Sequence, residues 1–334
     1  MEHLFVGATP GLEHALGEEL AGLGFSGELV NGGVELAGPV GSFWRINLWS
    51  RLASRVLLRV AEVASVSALK SLDLSAYGRE FELDAFGEDP GTWGVALPSK
   101  PGAAVNLNLR GLKRGRCQVS VDSSGELLHF RGYRQEVGRA PLRETLAAGL
   151  LQLAKWQPGE VLWDVMCGSG TILIEGAERA AGLAPGRNRR FAFEHFPSHD
   201  EAAWKALPRS VAPTKTVLLG SDLNSGALGT ARRNAKRAGV FELLTLERLD
   251  ATKLPVRPER GLVIANLPYG KRVGERDELG TLYRKFGGAL RKSCAGWYFA
   301  LLLEEGVEHL GLEIQETHRV SNGGLDCQLV LGEL

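Results

Sequence analysis

Between residues 161 and 302 the chain repeats one pattern, a short apolar run followed by a longer helical stretch. The runs are 161–165, 217–222, 243–247, 261–266 and 297–302. Apolar strands separated by helices cannot close as hairpins. They predict parallel βαβ units and a doubly wound α/β sheet. Residues 313–317 and 325–330, joined through Asn322-Gly323-Gly324, predict a closing antiparallel hairpin. The expected doubly wound domain covers residues 141–334.

In such a sheet, ligands bind beyond the carboxyl ends of the strands, where the strand order reverses. The first run ends in Asp164-Val165-Met166-Cys167-Gly168-Ser169-Gly170-Thr171, and a helix is expected from Ile172 to Ala181. Gly168 and Gly170 let a backbone approach a ligand where a Cβ would clash. The loop is not a dinucleotide fingerprint, because Leu173 stands where the third glycine would fall. The next strand ends carry Asp222, then Asp250-Ala251, then Asn266-Leu267-Pro268-Tyr269-Gly270. A carboxylate at the second strand end can accept from ribose hydroxyls, and Asp250 beside a small residue can meet an adenine amine. Taken singly, the glycine pair could be a tight turn and each acid a surface strand end. Four polar strand ends in succession favour a ligand site.

These segments resemble the class I S-adenosylmethionine methyltransferases that carry an Asn-Pro-Pro-Tyr-like motif. The run from Asp164 to Glu175 is similar to the methionine-binding loop of RNA guanine-N2 methyltransferases. Phe130-Arg131-Gly132-Tyr133-Arg134, followed by Ala140-Pro141-Leu142-Arg143-Glu144-Thr145-Leu146-Ala147, resembles the link from a THUMP RNA-binding module to the catalytic domain. The resemblance implies a Rossmann-like class I methyltransferase domain and S-adenosyl-L-methionine as cofactor. It implies cofactor contacts from Asp164, Cys167, Gly168, Gly170, Thr171, Asp222, Asp250, Ala251 and Asn266. It also places Asn266, Leu267, Pro268 and Tyr269 at the reaction centre. There the Asn266 side-chain oxygen and the Leu267 carbonyl would accept the two hydrogens of a planar base amine, while Tyr269 stacks on the base. Leu267 departs from the motif, standing where its first proline would be. The stretch 182–215 is longer than one crossover needs and is expected to cap the cofactor pocket or touch RNA.

The N-terminal part reads as two smaller pieces. Residues 1–50 form a β/α block, and residues 51–140 an α+β block with clean alternation at 105–110 and 117–122. Residues 126–134 are expected to continue as a strand ending in arginines. The resemblance implies a ferredoxin-like domain and then a THUMP domain. Formal net charge is zero, which does not favour a nucleic-acid binder, yet charge is unevenly spread. From Lys100 to Arg143 nine lysines and arginines face only Asp122, Glu126 and Glu136. Arg110, Lys113, Arg114, Arg116, Arg131 and Arg134 are therefore the candidate RNA contacts, since charge close to phosphates is what releases counterions.

Resemblance implies a tRNA partner, methylated at guanine N2 at position 6 of the acceptor stem. The alternatives are a ribosomal RNA guanine-N2 enzyme, or a DNA adenine or protein glutamine methyltransferase on the same fold. A non-catalytic RNA-binding protein is opposed by the intact Gly168, Asp222 and Asn266, and a nicotinamide dehydrogenase by Leu173. Four scattered cysteines and seven histidines give no metal-ligand spacing, so no metal is expected. No run is long enough for a membrane span. The expectation is a cytoplasmic monomer with no membrane partner.

Overall fold

The computed structural model describes residues 1–64, 66–87, 103–113, 116–135, 142–257, 259–268 and 276–334. Arg114 and Tyr269 lie outside the described residues. The chain divides into two compact units. One comprises 1–9, 16–129 and 185–209, and the other 10–15, 130–184 and 210–334.

The first unit is built on a seven-stranded sheet. Its strands are β1 (Glu2–Gly7), β2 (Gly27–Val30), β3 (Gly33–Gly38), β4 (Arg55–Val63), β5 (Glu82–Gly87), β6 (Asn106–Gly111) and β7 (Cys117–Asp122). Their order is β2-β3-β1-β4-β7-β6-β5, and among them only β5 and β6 run parallel. Strands from residues 1–50 and from 51–140 therefore share one sheet. Helices α1 (Glu13–Gly22) and α2 (Ser42–Trp49) follow β1 and β3. Most of the stretch 182–215, expected to cap the cofactor pocket or touch RNA, packs in this unit, at 185–209. Phe193 meets Phe43 of α2 edge-on at 5.4 Å and stacks on Phe191 at 5.2 Å. Burying these rings in the first unit's core outweighs leaving them as an exposed lid.

The second unit starts with α3 (Glu144–Leu153). It continues through β8 (Val161–Asp164), α4 (Thr171–Ala180), β9 (Leu218–Asp222), α6 (Ser225–Ala238), β10 (Leu244–Arg248) and β11 (Gly261–Asn266). Short helix α5 (Glu201–Ala206) lies in the first unit's 185–209 segment. Helix α7 (Arg276–Ser293), β12 (Tyr298–Leu303), β13 (Glu316–Asn322) and β14 (Leu325–Glu333) complete the chain. The order is β10-β9-β8-β11-β12-β14-β13, with β10 through β12 parallel and β14 reversed, antiparallel to both β12 and β13. This is the expected doubly wound sheet with its hairpin, though β13 starts three residues later than the sequence suggests. Side chains alternate between two cores. Leu162, Ile264, Ala300 and Leu302 pack with α3, α4 and α6, while Trp163, Val263, Ala265 and Leu301 pack with α7. Burial on both faces is why these strands read as unbroken apolar runs. The order reverses beside β8, so the crevice opens at the carboxyl ends of β8, β9 and β11.

No β-strand forms over 126–134. That segment turns out of β7, and its charges go inward. Arg131 is 3% exposed, with Nε 3.5 Å from the Glu175 carboxylate, and Arg134 pairs with buried Glu144 at 3.1 Å.

Candidate active site

The loop after β8 is fixed from both neighbouring strands. The Val165 amide donates to the Ile264 carbonyl (3.1 Å) and the Cys167 amide to the Ser221 carbonyl (2.9 Å). Gly168 then donates to the Asp222 carboxylate at 2.9 Å. Gly168 and Gly170 adopt left-handed φ angles of 53° and 83°. A Cβ on Gly170 would come within 3.0 Å of Ala231, whereas one on Gly168 would project into open space. Gly170 is thus required by backbone and packing together, and Gly168 leaves room for a ligand. The turn between them is held from α6, where fully buried Asn234 donates to the Ser169 carbonyl at 3.1 Å.

Five of the expected ligand groups line one small cavity: Asp164, Cys167, Gly168, Thr171 and Asn266. Leu142, Met166, Ser169 and Ile172 complete it. Its roughly 70 Å³ suits one end of a ligand. Gly170 acts through conformation rather than as a lining residue. Asp222, half-buried, takes amides from Gly168 and Asn224 (2.8 Å) and leaves its outer lone pairs to the crevice. Asp250 accepts both the amide and the hydroxyl of Thr252 at one oxygen, 2.9 and 2.7 Å away. Those bonds, the hydroxyl first, hold its carboxyl below the usual range. Ala251 is nearly buried in the α7-side core. The supporting Asn234 could not be found from sequence, because it lies mid-helix outside any strand-end motif, and Ser221 supports the loop only through a backbone carbonyl that any residue would supply.

Asn266 closes β11, and its Oδ1 is buried without a hydrogen-bond partner among the described residues. A buried acceptor left open costs roughly 1–3 kcal/mol, and such an atom inside a ligand cavity is an acceptor awaiting a donor. The next two residues are clamped. Leu267 donates its amide to the Leu302 carbonyl at 2.9 Å, and the Pro268 carbonyl accepts from fully buried Tyr283 at 2.9 Å. Burial also pushes the Asp164 carboxyl up to about 8, with the charge of Asp222 adding to the effect.

The candidate RNA contacts scatter. Arg110 lies on β6 and Lys113 just beyond it, while Arg116 pairs with Glu62 across the sheet. Arg131 and Arg134, buried against carboxylates, do not join them.

A loop with two left-handed glycines, a ribose-competent acid on the neighbouring strand and an orphaned amide oxygen fit a methyl donor with an amine acceptor. Residues 131–329 match a family model described as RMKL-like, methyltransferase domain. The chain belongs to that family. Residues 3–57 match an RlmL ferredoxin-like domain. The fold is thus a class I methyltransferase domain preceded by a ferredoxin-like domain, and the cofactor is S-adenosylmethionine. A relative from Psychromonas ingrahamii, named ribosomal RNA large subunit methyltransferase K/L, is 34% identical over 97% of this chain and 49% of its own. The chain spans about half the length of the curated relatives it matches. Among solved structures, SMU.472, a candidate methyltransferase complexed with SAH, superposes with a TM-score of 0.87 at 25% identity, covering 99% of this chain and 98% of that one. A possible methylase from Clostridium difficile 630 gives 0.87 at 29%, with the same coverage. The curated K/L relatives overturn the expected tRNA substrate and its position 6 target, because their names specify ribosomal RNA. They align with nearly the whole of this chain, so an N-terminal module ahead of one catalytic domain does not by itself indicate tRNA.

Proposed function

We propose that this chain methylates the exocyclic N2 amine of a guanine in large-subunit ribosomal RNA. The substrate follows the names of the relatives. The chemistry rests on one observation, the buried, unpartnered Oδ1 of Asn266 beside the β8 loop. An exocyclic amine is a weak nucleophile because its lone pair is delocalised into the ring. Asn266 Oδ1 and the Leu267 carbonyl accept its two hydrogens, which localises the lone pair and draws off developing positive charge. No strong base is required, and positioning can contribute ~7–11 kcal/mol. Bound S-adenosylmethionine supplies an electrophilic methyl group. Asp164, Cys167, Gly168 and Thr171 would hold its amino-acid end, in a loop shaped by Gly170, and Asp222, Asp250 and Ala251 its adenosine. Tyr269 would stack on the base, which must leave its helix at a cost of a few kcal/mol.

The division into residues 1–50, 51–140 and 141–334 belongs to the same reading, with the middle block as a THUMP-type RNA-docking module. Exposed Lys113 and Arg116, with half-buried Arg110, are its phosphate contacts.

The deciding experiment incubates the chain with labelled cofactor and large-subunit ribosomal RNA and identifies the methylated nucleoside by mass spectrometry. N2-methylguanosine is expected. Asn266→Ala is expected to lose at least about 100-fold in kcat while still binding S-adenosylhomocysteine. Turnover near wild type in that variant removes the mechanism.

A further inference from the structure

A second cavity lies where β12 ends against the β13–β14 hairpin. It holds about 480 Å³ and is lined by Glu304, Arg319, Asp326 and Gln328, together with Pro10 and Gly11. That volume is within the range of pockets that enclose small ligands. In the sheet, β11 lies between β8 and β12. The donor loop follows β8, while this cavity follows β12 and the β13–β14 hairpin. Asn266 therefore stands between the two.

The register gives the spacing. Asn266 pairs with Leu302 on β12, and Glu304 lies two residues further on. With about 4.8 Å between strands and about 3.3 Å per residue, the two Cα atoms are roughly 8 Å apart. The pleat gives the direction. Ile264 enters the core beneath α3, α4 and α6, so Asn266 shares that face, and Glu304, in the bend just past β12, lines its cavity with Val320 and Cys327 of the same core. One planar base can touch both side chains.

The chemistry of the lining is selective. Beside its exocyclic amine, guanine presents an N1–H donor and then the O6 acceptor, whereas adenine presents an N1 acceptor and then an apolar C2–H. A carboxylate accepts and a guanidinium donates. Glu304 matches guanine N1–H, and Arg319 or Gln328 matches O6, while adenine sets the N1 lone pair against the Glu304 carboxylate and leaves the donor unmet. We propose that this cavity seats the target guanine, with Glu304 accepting its N1–H while Asn266 holds the adjacent amine. Glu304 is then the residue that separates guanine from adenine. This inference rests on the guanine reading above.

The test measures methylation of in vitro transcribed large-subunit ribosomal RNA and, separately, S-adenosylhomocysteine affinity by calorimetry. Glu304→Ala is expected to lower kcat/KM for RNA about 10- to 100-fold, because a polar site left unpaired discriminates strongly. Glu304→Gln, whose amide oxygen can still accept, recovers part of that loss. The affinity for S-adenosylhomocysteine stays close to wild type in both. Arg319→Ala, altering an exposed residue, should show a smaller loss of the same kind. A Glu304→Ala variant that methylates guanine at the wild-type rate, or that binds S-adenosylhomocysteine more weakly in parallel, overturns the assignment of Glu304. If the wild type methylates adenine instead, the guanine reading falls together with it.

Discussion

The amide of Leu267 donates to the carbonyl of Leu302 at 2.9 Å, a bond that a proline at this position could not make. The chain departs from the Asn-Pro-Pro-Tyr pattern at this residue, and the rigidity missing from the ring is supplied by a ladder bond and by a side chain that is 1% exposed. Leu267→Ala should remove the buried side chain but keep the bond, whereas Leu267→Pro removes both and leaves the Leu302 carbonyl unmet. The proline variant is therefore expected to be less stable than the alanine variant by about 1–3 kcal/mol, measured by denaturant unfolding. Equal stability of the two would show that the bond holds nothing.

Asn234 supports the loop after β8 from behind. Its amide reaches the Ser169 carbonyl at 3.1 Å, and its own Oδ1 accepts from Arg237 at 2.6 Å, while Arg237 also donates to the Tyr133 carbonyl at 3.2 Å. The turn between Gly168 and Gly170 is thus tied through α6 to the segment 130–134. Removing a support of this kind should shift the loop more than it unfolds the protein. Arg237→Ala, at a half-buried position, is expected to raise the dissociation constant for S-adenosylhomocysteine about tenfold, with a melting temperature within a few degrees of wild type. Arg237→Lys should recover part of the affinity. Unchanged calorimetric affinity in the alanine variant counts against the relay.

Asp164 makes the ligand-free protein pH-dependent. Its carboxyl is raised from 3.8 to about 8 by burial, so between those values the folded state holds a proton that the unfolded chain has given up. Stability conferred by that proton is greatest at low pH and falls as pH rises through the window, by at most ~1.4 kcal/mol per pH unit. Glu144, pushed up to about 7 by burial, and Asp122, to about 6, contribute with the same sign over narrower windows. Asp164→Asn should accordingly flatten the decline of melting temperature between pH 5 and 8 without abolishing it. A variant whose profile parallels the wild type would place the titration elsewhere.

What the sequence made legible follows from locality. The second unit's parallel strands declare themselves as apolar runs because both faces are buried, and Asp164, Gly168, Asp222 and Asn266 declare themselves as polar ends of those runs. Their convergence needs only the reversal of strand order beside β8. The misreadings share the opposite property. The stretch 182–215 reads as a free loop able to cap the pocket until α2, some 150 residues before Phe193, supplies Phe43 as the partner of that ring, with Phe191 stacked on it. Asn234 sits mid-helix with no motif around it, and only the fold brings it to Ser169. Arg131 reads as part of a basic strip because its counter-charge, Glu175, lies on α4 and is remote in sequence.

That last pair separates two kinds of arginine that composition treats alike. Arg131 and Glu175 are both nearly inaccessible, their side chains 2% and 0% exposed. Tyr133 also donates to the same carboxylate, at 3.2 Å. Deleting the cation leaves a buried carboxylate short of its charge partner, at a typical cost of about 3–5 kcal/mol. Arg116, with a side chain 52% exposed and paired to exposed Glu62, should cost well under about 1 kcal/mol. For RNA the ranking inverts. Each cation taken away from a phosphate lowers the salt slope of binding by about one, and Lys113 and Arg116 are accessible where Arg131 is not. Arg131→Ala is therefore expected to lower the melting temperature strongly, with an unchanged salt slope in whatever fraction remains folded. Lys113→Ala combined with Arg116→Ala should melt like wild type and bind ribosomal RNA with a shallower slope. If the double variant kept the wild-type slope, the RNA-docking assignment of β6 and β7 would have to be abandoned.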